Sequence, residues 1–305
     1  NISLNKNKVL SLGDRQSFFL TNSGWGFSNT PADYIVRVGD PVGAMWGFVT
    51  DGYYTIDQFD YNPATQTYTL KPGVASNGSI TATPQPGLVR FRDIAGPIDP
   101  ATGKPGPPDG KIDDNDKQII GVAQPKFFGG LNQQFTWKNF DLNIFLNFSV
   151  GGEIYNANKL EFTSGYTANA NMLDMVNNRW TRINSQGQVV TDPVALAALN
   201  ANATMWSPST SSTSFVLHSW AIEDGSFLRI NNVSLGYTFA SSLLRKMKMQ
   251  RARVYVTGTN LAVFTKYTGY DPEVSTRRGN PVTPGVDYSG YPRSRTFIFG
   301  LNLTF

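Results

Sequence analysis

Apolar and polar residues alternate with period two along the last stretch of the chain. From Ser294 to Phe305, the residues Phe297, Phe299, Leu301, Leu303 and Phe305 share one face. Thr296, Ile298, Gly300, Asn302 and Thr304 share the other. That period predicts a strand whose two faces meet different surroundings. Its length matches the roughly 9–11 residues with which a tilted strand crosses a bilayer. The same period recurs upstream. Phe127 to Trp137 and Phe140 to Ser149 flank Lys138-Asn139, a two-residue hairpin turn. In the second arm Phe140, Leu142, Ile144, Leu146 and Phe148 face one way. Asp141, Asn143, Asn147 and Ser149 face the other, with Phe145 the exception. Phe227 to Phe239 aligns Val233, Leu235, Tyr237 and Phe239, and Arg251 to Asn260 is a further long strand. Shorter strands are predicted at Tyr34 to Val38, Tyr68 to Leu70 and Leu88 to Phe91, giving roughly eight to ten in all.

Helical spacing is scarce. Ser241 to Lys248 places Leu243, Leu244 and Met247 as a short helical turn, and Asn171 to Trp180 aligns Met172, Met175, Val176 and Trp180. The rest of Gly151 to Trp220 has no periodicity, and so long an irregular stretch is often functional. Gly96 to Asp116 and Lys266 to Pro292 are rich in Pro, Gly and Asp and read as loops.

Alternation alone fits both a membrane barrel and a soluble β-sandwich, since each has one apolar and one polar face. The composition of the polar face separates them. Its positions are mostly small and uncharged (Asn143, Asn147, Thr257, Thr259, Asn302, Thr304), which suits a wet, crowded barrel interior. Charged residues are 16% of the 305, against about 25% in soluble domains. Trp137, Tyr237, Phe239 and Phe305 collect near strand ends, as an interfacial girdle requires. No apolar run approaches the roughly 18 residues of a membrane helix, so crossing a bilayer requires strands. The fold expected is all-β, an antiparallel transmembrane β-barrel segment with long outer loops.

Net charge is +4. The basic residues are dispersed, with clusters only at Arg245 to Lys248 and Thr276 to Arg278, and no concentrated patch calls for nucleic acid. There is no Cys and one His, His218, which leaves neither thiolate chemistry nor a His-rich metal centre.

Several ordered blocks resemble the C-terminal part of SusC/RagA-type TonB-dependent outer-membrane transporters. They are Asp109-Gly-Lys-Ile-Asp113 with Ile120-Gly121 and Pro125-Lys-Phe-Phe-Gly-Gly130, then Glu223-Asp-Gly-Ser-Phe-Leu-Arg-Ile-Asn-Asn-Val-Ser-Leu-Gly-Tyr237. Arg253-Val-Tyr-Val-Thr-Gly-Thr-Asn-Leu261 follows, with Phe264 to Glu273, and the closing Gly300-Leu-Asn-Leu-Thr-Phe305. The resemblance implies a 22-stranded barrel, a lumenal plug, a TonB box, a SusD-like surface lipoprotein as lid, and an oligosaccharide or peptide cargo. Phe297, Phe299, Leu301, Leu303 and Phe305 then form the C-terminal signal read by barrel-assembly machinery. Asn1-Ile2-Ser3 has no features of a signal peptide, so the expectation is that residues 1–305 are a C-terminal piece lacking plug and early strands. With the last strand ending in the periplasm, Ser241 to Lys248 becomes a periplasmic turn, and Gly151 to Trp220 and Lys266 to Pro292 become extracellular. Two alternatives stand beside the transporter: a SusC-like barrel acting as a structural subunit of an envelope assembly, and a secreted β-sandwich that binds glycans.

Candidate contacts follow from chemistry. Tyr166, Trp180, Trp206, Trp220, Tyr267 and Tyr270 are outer-loop aromatics able to stack on sugar rings or meet a lid protein. Asp271 and Glu273 flank Pro272 and either accept hydrogen bonds from cargo or fix the loop backbone. Asp109, Asp113 and Asp116 are spaced like calcium-loop carboxylates. Pro105 and Pro107 occupy the preceding ligand positions, so an exposed acidic turn is the expectation and no cofactor is called for. No nucleophile-elbow pattern accompanies His218, and no catalytic residue is assigned.

Overall fold

In the computed structural model residues 1–305 are described except 14–15, 27–29, 103, 166, 168, 210–214, 247, 277–278 and the side chain of Lys246. Six strands build one antiparallel sheet, the wall, and are numbered in chain order: β1 (Ile2–Leu4), β2 (Phe127–Trp137), β3 (Phe140–Val150), β4 (Phe227–Thr238), β5 (Arg251–Thr265) and β6 (Thr296–Thr304). Each pairs with its neighbour in that order, so the wall is an up-and-down meander. The long predicted strands fall where alternation placed them, except that β5 continues five residues past Asn260 to Thr265. Lys138 takes a positive φ of 54° in the β2–β3 turn, the left-handed geometry that tight hairpins use.

Residues directly opposite in antiparallel strands project to one face. The register therefore assembles rows. One row is Trp137, Phe140, Tyr237, Val254 and Leu301; a second is Phe135, Leu142, Leu235, Val256 and Phe299. Between them lies the row Thr136, Asp141, Gly236, Tyr255 and Gly300, and beyond the second lies Gln134, Asn143, Ser234, Thr257 and Ile298. Apolar side chains thus fill one face across five strands and mainly polar ones fill the other. On the polar face Thr257 Oγ1 donates to Ser234 Oγ at 2.8 Å, and Arg253 is held by Asp141 through Nε at 3.0 Å. Phe145, the exception to alternation, lies over Gly130, where an added Cβ would come within 3.1 Å of its ring. Tyr255 covers Gly300 in the same way. Inward rings are accommodated where the opposing residue has no side chain.

Nothing among the described residues covers the apolar face. Phe299 is 80% exposed, and Phe135 and Leu235 are 54% and 44% exposed. A sandwich buries such a face against a second sheet, and none of the described residues supplies one over this face.

The register slips between Phe145 and Leu146 of β3, where Asn231 is an extra residue in β4, and again where β5 passes Asn260-Leu261. The bulge reverses the phase of β4. Val233, Leu235 and Tyr237 lie on the apolar face, as do Leu228 and Ile230, although the two sets differ by an odd step. Uninterrupted alternation from Val233 would put Arg229 among the apolar-face positions. The bulge turns it to the polar face, opposite Asn147 and Val263.

Apart from the β4–β5 connection, the remaining segments fold at the end of the wall opposite the β2–β3 turn, in short sheets of two to four strands over three small cores. The first core packs Trp25, Tyr34, Met45, Tyr155, Leu217 and Val286, the second Tyr54, Phe59, Tyr68, Trp180 and Leu196, and the third Phe48, Phe91, Ile112 and Val216. Nineteen strands are present among the described residues, well above the eight to ten predicted. The excess is in strands of two to five residues whose alternation is too brief to register. The stretch from Gly151 to Trp220 is more ordered than predicted. It holds a strand at Glu153–Asn156, helix α1 (Ala157–Phe162) and helix α2 (Pro193–Leu199). Asp192 caps α2, accepting from the Val194 and Ala195 amides, with Pro193 in the first turn. The helical run expected at 171–180 is only a 3₁₀ turn, Asp174–Asn178, with no side-chain cap. Val176 and Trp180 are buried, but Met172 and Met175 stay exposed. A last short helix, α3 (Ser241–Lys246), joins β4 to β5.

Candidate functional site

Two arrangements of side chains stand out, one in the loops beyond the wall and one where those loops meet it. The first is built on a short link between distant segments. The Phe48 amide donates to Leu217 O at 3.0 Å and the Ser219 amide to Phe48 O at 2.9 Å. This brings His218 and Trp220 against Phe91 and Trp206. His218 and Trp220 stack with centroids 5.9 Å apart and planes at 12°, and Trp206 meets Trp220 edge-on at 4.7 Å. These rings, with Phe215 and the hydroxyls of Thr163 and Ser207, line a cavity of about 60 Å³.

His218 is buried, and burial followed by the nearby Lys159 charge lowers its pKa to about 3. Thr50 Oγ1 accepts from the Trp220 amide at 3.1 Å and the Ser219 hydroxyl at 3.3 Å. The same oxygen lies 2.7 Å from His218 Nδ1, so the ring is held by one nitrogen. A base so weak is far from the working pH that proton transfer needs; this neutral imidazole is a flat wall of the cavity. Lys159 Nζ donates to Trp220 O at 2.8 Å, lies 4.2 Å over the Trp220 ring and is 3.3 Å from Glu223. Burial pushes the Glu223 carboxyl up, but hydrogen bonds from Thr268 and the Lys159 charge outweigh it and hold the group below its ordinary value. The site thus offers aromatic faces and hydroxyls, which suit stacking and hydrogen bonding.

The second arrangement surrounds Arg229, 1% exposed. Its guanidinium is 2.6 Å from Asp271 and 2.8 Å from Glu273, and it donates to Asn260 Oδ1. Arg293 closes the group from outside, 3.1 Å from Asp271 and 3.0 Å from Glu273. Asn260, at φ 54°, also donates to the Arg293 and Ser294 carbonyls at 3.2 and 3.3 Å. The bulge, the loop from Tyr267 to Arg293 and the polar face of β4 are locked together. Alternation gave no sign of this group.

Of the outer-loop aromatics, Trp206 and Trp220 meet at the cavity. Trp180 is 3% exposed within the second core and Tyr267 is 5% exposed, its hydroxyl donating to Asp287. Neither ring has a free face. Tyr270 is 76% exposed, and Tyr166 lies outside the described residues. Asp271 and Glu273 are both engaged in ion pairs with Arg229 and Arg293. Asp109, Asp113 and Asp116 do not converge. Asp109 accepts from the Lys111 amide, Asp113 caps a 3₁₀ turn, and Asp116 accepts from the Ile94, Ala95 and Asp113 amides. Asp116 is 1% exposed rather than part of an exposed turn. No group of three or more such side chains gathers among the described residues. Phe297, Phe299, Leu301, Leu303 and Phe305 are all exposed at the wall's edge.

No protein-family model matches the chain. The chain is 33% identical over 309 residues to TonB-dependent receptor P3 of Formosa agariphila, a match covering all of the chain and 26% of that protein. It is 30% identical over 197 residues to TonB-dependent receptor SusC of Bacteroides thetaiotaomicron, covering 64% of the chain and 17% of SusC. Its fold matches a chain of the RagAB peptide importer in its closed-closed state with a TM-score of 0.64 at 20% identity, covering all of this chain and 26% of that one. The chain spans about a quarter of the length of the relatives it matches end to end. With its meander of long strands, its apolar outer face and these relatives, the chain belongs to the SusC/RagA family of TonB-dependent receptors, of which it forms part of the β-barrel.

Proposed function

We propose that the chain is the wall and outer-loop portion of an outer-membrane active transporter, which imports oligosaccharides or peptides together with a SusD-like surface lipoprotein. The observation that carries this reading is the register. It gathers Phe, Leu, Ile and Val into exposed rows on one face and Asn, Ser, Thr and paired charges on the other. Lipid takes the first face and a wet lumen the second. Passage across the membrane would depend on TonB acting through a plug that residues 1–305 do not supply. This portion carries no bond chemistry. Trp206, Trp220 and Tyr270 meet cargo or lid at the outer face, and the Arg229 group holds the loop from Tyr267 to Arg293 against the lumenal wall.

The test is uptake in cells bearing the intact receptor. Labelled oligosaccharide and peptide pools are offered to cells with and without TonB, and the receptor is isolated with its partners. Accumulation that needs TonB, with a co-purifying surface lipoprotein, is the expected result. Equal uptake without TonB, or recovery of the receptor without detergent, would reject the reading.

A further inference from the structure

The basic cluster at Arg245 to Lys248 has no part in transport as described above, yet it does not stand alone. At the short-turn end of the wall, Lys138, Arg245, Lys248 and Arg251 are all exposed, and none forms an ion pair among the described residues. Asp141 is the one carboxylate side chain among the described residues there, and Arg253 occupies it. Four unpaired cations therefore gather at one end, equal in number to the formal net charge of the whole chain, +4.

The cations border an aromatic ladder. Lys138 Nζ lies 5.0 Å over the Trp137 ring. Trp137 and Phe140 stack at 6.4 Å, Phe140 meets Tyr237 at 4.9 Å, and Tyr237 meets Phe239 at 5.2 Å. Trp137, Phe140 and Tyr237 belong to the apolar rows, so Lys138 is folded onto the lipid side of the wall. Leu243 on α3 is 51% exposed while Leu244 is buried. Apolar rings and a leucine below, ammonium and guanidinium groups above: this is the section through a bilayer interface, where rings take the headgroup level and cations reach phosphate.

We propose that this rim binds anionic phospholipid headgroups of the leaflet at the short-turn end, with Lys138, Arg245, Lys248 and Arg251 as their counter-charges. The inference rests on the barrel reading. A lumenal or soluble partner would not account for Lys138 lying on the lipid-facing side of Trp137. Each cation near an anionic surface contributes about a fivefold preference at low salt, and the preferences combine less than fully because a lipid meets only some of the four.

The experiment places the intact receptor in vesicles of phosphatidylcholine with a trace of spin-labelled phosphatidylglycerol or spin-labelled phosphatidylcholine, and compares the motionally restricted fractions. Phosphatidylglycerol should associate at least about fivefold more strongly than phosphatidylcholine. The preference should fall below about twofold in the K138Q/R245Q/K248Q/R251Q variant and, in the unmodified receptor, in molar salt. The salt arm stands even where the variant does not insert. Equal association of the two lipids with a receptor that still migrates heat-modifiably overturns this inference alone. A receptor that is not heat-modifiable overturns the barrel reading and the lipid rim with it.

Discussion

Replacing Arg229 by Ala is the sharpest perturbation that the wall offers. The guanidinium is buried, contacts two carboxylates and is the strand-borne charge of a group of four charged residues. Its removal strands Asp271, whose side chain is only 11% exposed, with Arg293 as its remaining cation. Breaking a buried pair from one side costs about 3–5 kcal/mol. Arg293 still reaches Asp271 but its side chain is 45% exposed, which puts the expectation near the lower figure, about 3 kcal/mol. The loss is local. The ladder of β4 with β3 and β5 does not depend on Arg229, so the barrel persists while the loop from Tyr267 to Arg293 opens. A change of about 3 kcal/mol is roughly a hundredfold in opening equilibrium. Hydrogen exchange on the intact receptor in detergent should show this acceleration for the Thr268 and Glu273 amides, which donate to carboxylates, and little change for β4. A paired R229M/D271L replacement, which removes both charges at similar volume, should return most of the protection. Acceleration below tenfold in R229A, or a double variant as open as the single, would refute the reasoning.

Three further outcomes follow from the same geometry. Deleting Asn231 removes the extra residue, so plain alternation then joins Leu228 and Ile230 to Val233 and Leu235 and keeps Arg229 on the polar face; the heat-modifiable folded fraction should persist, whereas Leu228→Arg, which puts a cation on the apolar face, should cost about 2–4 kcal/mol, and a deletion as damaging as that substitution would contradict the phase reading. Gly87 has φ +88°, and a Cβ there would lie 2.1 Å from the Trp180 ring, so Gly87→Ala should destabilise the second core by at least about 2 kcal/mol, seen as red-shifted Trp emission and earlier proteolysis. Two buried groups set opposing pH slopes. His218 titrates near 3 folded and 6.5 unfolded, so its contribution is lost as pH falls through that window. Burial raises Asp33 to about 6 from 3.8, so its contribution is lost as pH rises between those values. From about pH 4 to 6 the two cancel. His218→Phe should make loop stability fall with rising pH, and Asp33→Asn should make it rise, by about 1.4 kcal/mol per unit each. Parallel pH profiles for the two variants would refute both assignments.

Much of the wall was legible because its signals repeat. Phe127 to Trp137 and Phe140 onward were placed to the residue, since two long alternating runs and a two-residue turn leave one register. The phase reversal of β4 is also present in the sequence, in Leu228 and Ile230 against Val233 and Leu235, but such a break reads as noise until the pairing partners are known. Helix α2 carried a readable start, Asp192 before Pro193, inside a stretch without other order. The loop cores were not legible. Trp180, Trp206 and His218 are brought to their neighbours by contacts across scores of residues, such as Phe48 with Leu217 and Ser219, which no local period encodes. The Arg229 group failed for the same reason: Asp271 and Glu273 are 42 and 44 positions away, and their spacing around Pro272 says only that both point from one loop.

The central claim concerns which face of the wall meets lipid, and site-directed labelling tests it most directly. Residues 1–305 contain no Cys, so single cysteines can be placed in turn at Leu235, Val256 and Phe299, and at Ser234, Thr257 and Asn302, and labelled with a nitroxide in the reconstituted receptor. The first three should be accessible to oxygen and shielded from a water-soluble nickel complex, and the second three should show the reverse. The same accessibility for both sets, or nickel accessibility at 235, 256 and 299, would contradict the account.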